Sequence, residues 1–309
     1  MLIDTHCHLH DYEWFTPAQQ ADFLKEAHES DVQKIVCIGT NPEDSKNARD
    51  FAASHANVYW TYGIHPEFAN SKMITGREGD YCSFLEAVRS ATSEEKAASA
   101  RNESQGVREK SRASLLLFRG DARESERSED GPEERRASKK DDNRTSRPLS
   151  PVAIGEIGLD YHYEGYNRSA QIRLFEQMLE LAIKLKLPVS LHIREAFDDA
   201  FGVLDNFPDV KGVVHSFTGS KKVLQKVLER EFYVGVNGLA TYSTLPLPPL
   251  EKMLLETDAP FLTPAPFRGK INMPGYVSLV ADFLATTLNV PKTLIAEQTT
   301  KNATTLFKI

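Results

Sequence analysis

The hydrophobic pattern along this chain alternates between two periods. Short, nearly continuous apolar runs recur at residues 34–38, 58–62, 152–160, 188–194, 212–217, 232–237 and 253–258. Runs of this length, rich in Val, Ile and Tyr, read as strands buried on both faces. Between them lie stretches with apolar residues at helical spacing. Residues 17–29 carry Phe23, Leu24 and Ala27, and residues 168–187 carry Ile172, Phe175, Met178, Leu179 and Ala182 along one stripe. Further helices are predicted over 42–54, capped by Asn41 with Pro42 in first position, and over about 196–206, 221–229, 276–289 and 291–307. The opening run, residues 1–8, completes a set of eight strands. Strands alternating with helices signal a parallel sheet, and this many units at this length predict a closed (β/α)8 TIM-type barrel.

Two segments break the pattern. From about 90 to 150 the chain turns to Arg, Glu, Ser, Asp and Lys with almost no aromatic residues. Such a stretch buries too little apolar surface to offset its ordering entropy. It is expected to be a disordered insertion after the third strand, within a single barrel domain spanning 1–309. The second break lies at 238–251, where Pro246, Pro248 and Pro249 exclude a normal helix. A shortened crossover is expected there, with a possible cost to the last strands and to the placement of Asp258.

Composition narrows the class. The chain has 309 residues, 40% hydrophobic and 26% charged, enough to bury a sizeable core. Its formal net charge of -7 excludes a global positive field, so an anionic substrate would need local basic groups or metal. Cys7, Cys37 and Cys82 lie far apart, match no zinc spacing and are expected to be reduced thiols. No window is long and apolar enough to span a membrane and no signal pattern opens the chain, so a cytoplasmic or nuclear location is expected.

Candidate chemistry sits where the apolar runs end. Asp4, His6 and His8 are spaced two apart and would share one strand face, with Asp4 placed to accept a ring N–H. His65 follows the third run, Glu156 lies in the fourth, His192 in the fifth and His215 in the sixth, with Glu256 and Asp258 in the last. Barrel enzymes place their reactive residues at these C-terminal strand ends. One histidine ending a strand is ordinarily a hydrogen-bonding residue, but several strands ending in His, Glu or Asp point to one shared site. His28 and His55 read as surface residues, and His10 and His162 are left unassigned. The set is similar to the imidazole- and carboxylate-rich nests of two-metal hydrolases, with Glu156 able to bridge two ions. Imidazole suits zinc or manganese, whereas carboxylates and water also suit magnesium.

Seven motifs carry a closer resemblance. They are Asp4-Thr-His6-Cys-His8, Gly63-Ile-His65-Pro66, Ile154-Gly-Glu156-Ile-Gly-Leu-Asp160 and Pro188-Val-Ser-Leu-His192-Ile-Arg194. To these are added His215-Ser-Phe-Thr-Gly219, Leu254-Leu-Glu256-Thr-Asp258-Ala-Pro260 and Pro266-Phe-Arg268-Gly-Lys-Ile-Asn272-Met-Pro274. In this order they resemble the TatD-type metal-dependent deoxyribonucleases among the amidohydrolase-like barrels. The resemblance implies a monomeric hydrolase of DNA phosphodiester bonds, acting with two divalent ions of the Mg²⁺ type as an exonuclease from the 3′ end. His6, His8 and Asp258 would hold one ion and His192 and His215 the other, with Glu156 shared. Asp258 would also take a proton from the attacking water. Glu256, read as lying on the same strand face, would hold a further ion or water. His65, Arg194 and Arg268 would contact phosphate, the arginines through their planar forks. Two other readings stay open at this point: an amide or ester hydrolase on the same site, and a catalytically impaired binding protein using the charged insertion.

Overall fold

The apolar runs become β1 (Leu2–Cys7), β2 (Val32–Cys37), β3 (Val58–Tyr62), β4 (Ala153–Asp160), β5 (Val189–Arg194), β6 (Gly212–Val214), β7 (Tyr233–Val236) and β8 (Met253–Leu255). These come from a computed structural model that describes residues 1–70 and 150–309. The insertion expected at about 90–150 lies outside the described residues. The strands run in order β1 to β8 in one 8-stranded sheet, each parallel to the next. The circle closes beyond β8, where His8 N donates to Ala259 O at 2.7 Å and Asp258 N donates to His6 O at 2.8 Å. The fold is a TIM barrel.

Helices cover the sheet: α1 (Pro17–Glu29), α2 (Pro42–Ser54), α3 (Arg168–Leu185), α4 (Phe197–Leu204), α5 (Lys221–Glu229), α6 (Val277–Leu288) and α7 (Lys292–Phe307). Their starts follow local chemistry. Thr16 and Gln19 form a reciprocal capping box at α1, and the Asn41 side chain accepts from Glu43 N and Asp44 N at α2. At the far end of the barrel Ile3, Val36, Ala153, Val213 and Leu254 pack in one cluster with Ala303, Leu306 and Phe307 of α7. Those strand residues come from five of the eight strands and fill the barrel interior at that end.

The prolines before β8 have the expected effect. No α-helix joins β7 to β8; the link is made by 3₁₀ turns at Gly238–Thr241 and Leu250–Lys252. Both strands are nonetheless laid down in register, Val234 with Met253 and Val236 with Leu255. A buried side chain substitutes for the missing helix: Asn302 Nδ2 donates to Leu250 O and Met253 O, each at 2.8 Å.

Candidate metal centre at the barrel mouth

Strand β1 brings His6 and His8 to the mouth, both buried. His8 Nδ1 donates to Ile38 O at 3.0 Å, which turns Nε2 inward, 3.6 Å from Asp258 Oδ1 and 3.9 Å from Glu156 Oε2. His6 Nε2 lies 3.5 Å from both Glu156 Oε2 and Asp258 Oδ1. Asp4 does not accept the ring N–H expected of it. It accepts from Thr257 N at 2.9 Å, Thr257 Oγ1 at 2.6 Å and His6 N at 3.3 Å. A register irregularity between Asp4 and Cys7 breaks the strict alternation that the expectation assumed. Asp4 thus fastens β1 to the segment after β8, and burial raises its carboxyl well above the usual range.

Glu156 stands at the centre. Its Oε2 faces His6 and His8, while Oε1 lies 2.8 Å from both His192 Nδ1 and His215 Nε2. The approach is possible because Gly63 follows β3: a Cβ there would sit 2.2 Å from Glu156 N. His6 and His215 stack with ring centroids 3.9 Å apart, and His192 Nδ1 is 3.2 Å from His215 Nε2. His65 Nε2 is 3.8 Å from Glu156 Oε1. His192 Nε2 meets Asp160 Oδ2 at 2.9 Å. Asp160 was not among the expected site residues, although the strand period contained the signal: Glu156, Gly158 and Asp160 alternate along β4. Among the described residues, donor atoms gather in three groups, His6–Glu156–His215, His6–His8–Asp258 and His65–Asp160–His192, each within 4.8 Å.

Glu256 and Arg268 lie elsewhere than expected. β8 stops at Leu255 and Asp258 adopts φ 59°, so Glu256 and Asp258 do not share a strand face. Glu256 is buried behind His215, its Oε1 accepting from Ser216 N at 2.6 Å and lying 3.9 Å from His215 Nδ1. Gly235 leaves the room for it, since a Cβ there would fall 2.1 Å from Glu256 Oε2. Arg268 stacks on Tyr242, with Cζ 4.4 Å from the ring centroid, and is not part of the cavity wall. Arg194 does reach the cavity. Together with His8, Glu156, His192, His215 and Asp258 it lines a space of about 670 Å³.

The buried carboxylates draw positive charge to the site. Burial, reinforced by the neighbouring His215, lowers His6 to about 4, and burial with His192 lowers His65 to about 3. Burial also opposes the charged forms of His8 and His192, but their carboxylate neighbours carry both up to about 9. Against the cost of burial, His215 and His192 hold Glu156 well below the ordinary carboxylate range, and His8 holds Asp258 down likewise. Both ring nitrogens of His6, Nδ1 of His215 and Oε2 of Glu256 are buried without hydrogen-bond partners. Buried polar atoms are normally satisfied, so His6 Nε2, an orphan set between the ionised Glu156 and Asp258, fits divalent-cation binding.

A parallel eight-stranded barrel with imidazoles and carboxylates converging on its C-terminal mouth defines a metal-dependent hydrolase class. More specifically, the sequence profile of TatD related DNases matches residues 3–308, and the chain belongs to that family. The uncharacterized metal-dependent hydrolase YabD of Bacillus subtilis is 28% identical, with 100% of each chain covered. The 3′-5′ ssDNA/RNA exonuclease TatD of Citrobacter rodentium is 37% identical over 51% of this chain and 65% of its own length. Among solved structures, the TatD homolog YJJV of Escherichia coli k12 matches with a TM-score of 0.70 at 25% identity, covering 100% of this chain and 98% of that one. No single helix among the described residues is long and apolar enough to cross a membrane.

Proposed function

We propose that this chain is a two-metal phosphodiesterase that hydrolyses DNA, removing nucleotides from the 3′ end. The observation that carries the reading is the divided carboxylate of Glu156, with Oε1 on the His192/His215 side and Oε2 on the His6/His8 side. His6, His8 and Asp258 would hold one divalent ion, His192 and His215 a second, and Glu156 both; magnesium is the expected ion, with manganese or zinc suited to the same donors. Such ions, when bound, acidify water and neutralise charge on a phosphoryl group. The chain's own groups do the rest. Asp258, ionised and at the cavity wall, accepts the proton of the attacking water. Ile38 O fixes the His8 tautomer, and Asp160 orients His192. Arg194 offers a fork to the phosphate from the wall, which reconciles an anionic substrate with an acidic protein. The name of the Citrobacter rodentium relative supports a nucleic-acid substrate and this polarity.

The test is digestion of 3′- and 5′-labelled single-stranded DNA with Mg²⁺ or Mn²⁺, with and without EDTA. Metal-dependent release from the 3′ end is expected, lost in Glu156→Ala. No metal-dependent release by the native protein, or full release by the variant, refutes the reading. Turnover of amides or esters in place of DNA would move the assignment to another bond on the same site.

A further inference from the structure

Three large aromatic side chains stay in solvent at the rim of the cavity that holds the candidate metal groups. Trp14 is 48% exposed, Phe261 45% and Tyr163 67%, and all three line that cavity. Solvent-exposed aromatics beside a polar cleft are candidates for contact with a partner surface. Trp14 and Phe261 meet edge to face with centroids 5.3 Å apart, and Phe261 lies 6.5 Å from His8. On the other side Tyr163 carries the Arg194 guanidinium over its ring, at 5.4 Å from the centroid. Arg194 also sits next in chain to Ile193 and two residues beyond His192, so this pair belongs to the Glu156–His192 half of the floor.

The Trp14–Phe261 wall is braced on both of its segments. Glu13 N donates to Asp11 Oδ1 at 2.7 Å and Phe15 N to Asp11 O at 3.0 Å, while Phe15 is buried against Phe23. Phe261 N donates to Asp258 O at 2.8 Å, and its carbonyl accepts from Asn272 Nδ2 at 2.6 Å. The backbone that carries Trp14 and Phe261 is therefore tied down before any ligand arrives, which lowers the entropic cost of contact.

We propose that Trp14 with Phe261, and Tyr163 with Arg194, are two stacking platforms for unpaired nucleobases on either side of the phosphodiester held at the floor. The inference rests on the phosphodiesterase reading and adds its base-binding residues. Each phosphate in a single strand is flanked by two bases whose faces are free to stack on aromatic or guanidinium planes. In a duplex those faces are already stacked on neighbouring pairs. The platforms thus select single-stranded or frayed ends without reading their sequence, because every base has a π-face.

Tryptophan emission tests this directly. The chain has two tryptophans, and Trp60 is 4% exposed, so Trp14 is the one open to contact. With Mg²⁺ present, a nuclease-resistant phosphorothioate strand of thymidines is expected to quench the emission. An abasic strand of equal length and charge is expected to leave it unchanged. Trp14→Leu should lose the response and Trp60→Phe should keep it. In turnover, the ratio of kcat/KM on a thymidine strand to that on an abasic strand should fall about tenfold in the Trp14→Leu/Phe261→Leu variant. Tyr163→Leu repeats the measurement on the second platform. Equal quenching by both strands, quenching by neither, or an undiminished ratio overturns the proposal. Failure of the native protein to cleave either strand refutes the phosphodiesterase reading instead, and the quenching comparison then still decides stacking.

Discussion

Replacing Asn302 with Asp would show how much the last strand depends on a single side chain. Asn302 is buried, and its Nδ2 donates to the carbonyls of Leu250 and Met253 at 2.8 Å each. Its Oδ1 accepts from Gln298 Nε2 at 2.8 Å. Aspartate keeps the shape and the bond from Gln298, but it sets an acceptor against two carbonyl oxygens. Each carbonyl left unsatisfied costs about 1–3 kcal/mol, so the expected loss is about 2–6 kcal/mol. At roughly 2–4 °C per kcal/mol for a protein of this size, the midpoint of melting should drop by about 10 °C. Circular dichroism melting at pH 7 measures it, and Asn302→Ala, without the repulsion, should fall less. A variant melting within about 2 °C of the native protein would show that the turn at Leu250–Lys252 holds itself, and the account of the missing helix would fail.

Two further outcomes are expected. Burial pushes Glu256 up to about 7 from 4.5, so its contribution to stability is full below the unfolded pKa and lost as pH rises through about 7. Glu256→Gln should therefore gain on the native protein by up to about 3 kcal/mol between pH 5 and pH 8 in EDTA, measured by urea melts; a difference flat in pH would contradict it. Saturating Mn²⁺ at about 100 times its Kd should add about 2.7 kcal/mol to stability, and Glu156→Gln should lose most of that gain. An equal gain in both proteins would remove Glu156 from the metal site.

Much of the architecture was legible because parallel strands are buried on both faces and announce themselves as apolar runs. The helix bounds at Pro17–Glu29 and Pro42–Ser54 follow from their caps. The convergence of His6, His8, Glu156, His192, His215 and Asp258 followed from one rule, that barrel strands point their C-terminal ends at a common mouth. What failed was finer than strand identity. Glu256 and Asp258 would share a face only if the strand ran on through Asp258, whereas the chain turns there at a positive φ that no hydrophobic pattern encodes. No local pattern encodes the Asp4 partner, because Thr257 lies 253 residues away. Arg268 stacking on Tyr242 depends on loop geometry that composition does not carry.

The seam between β1 and the segment after β8 also governs how the protein comes into being. Thr5 Oγ1 donates to Leu255 O across 250 residues, and Thr257 Oγ1 to Asp4 Oδ2 across 253. Contacts of such sequence separation form late and slowly. His6 and His8 must then wait, through most of synthesis, for the segment that supplies Asp258. A nascent chain short of Asp258 would hold an incomplete donor set, so catalytic competence arrives with the closing of the ring, and the appearance of activity during refolding should time that closure.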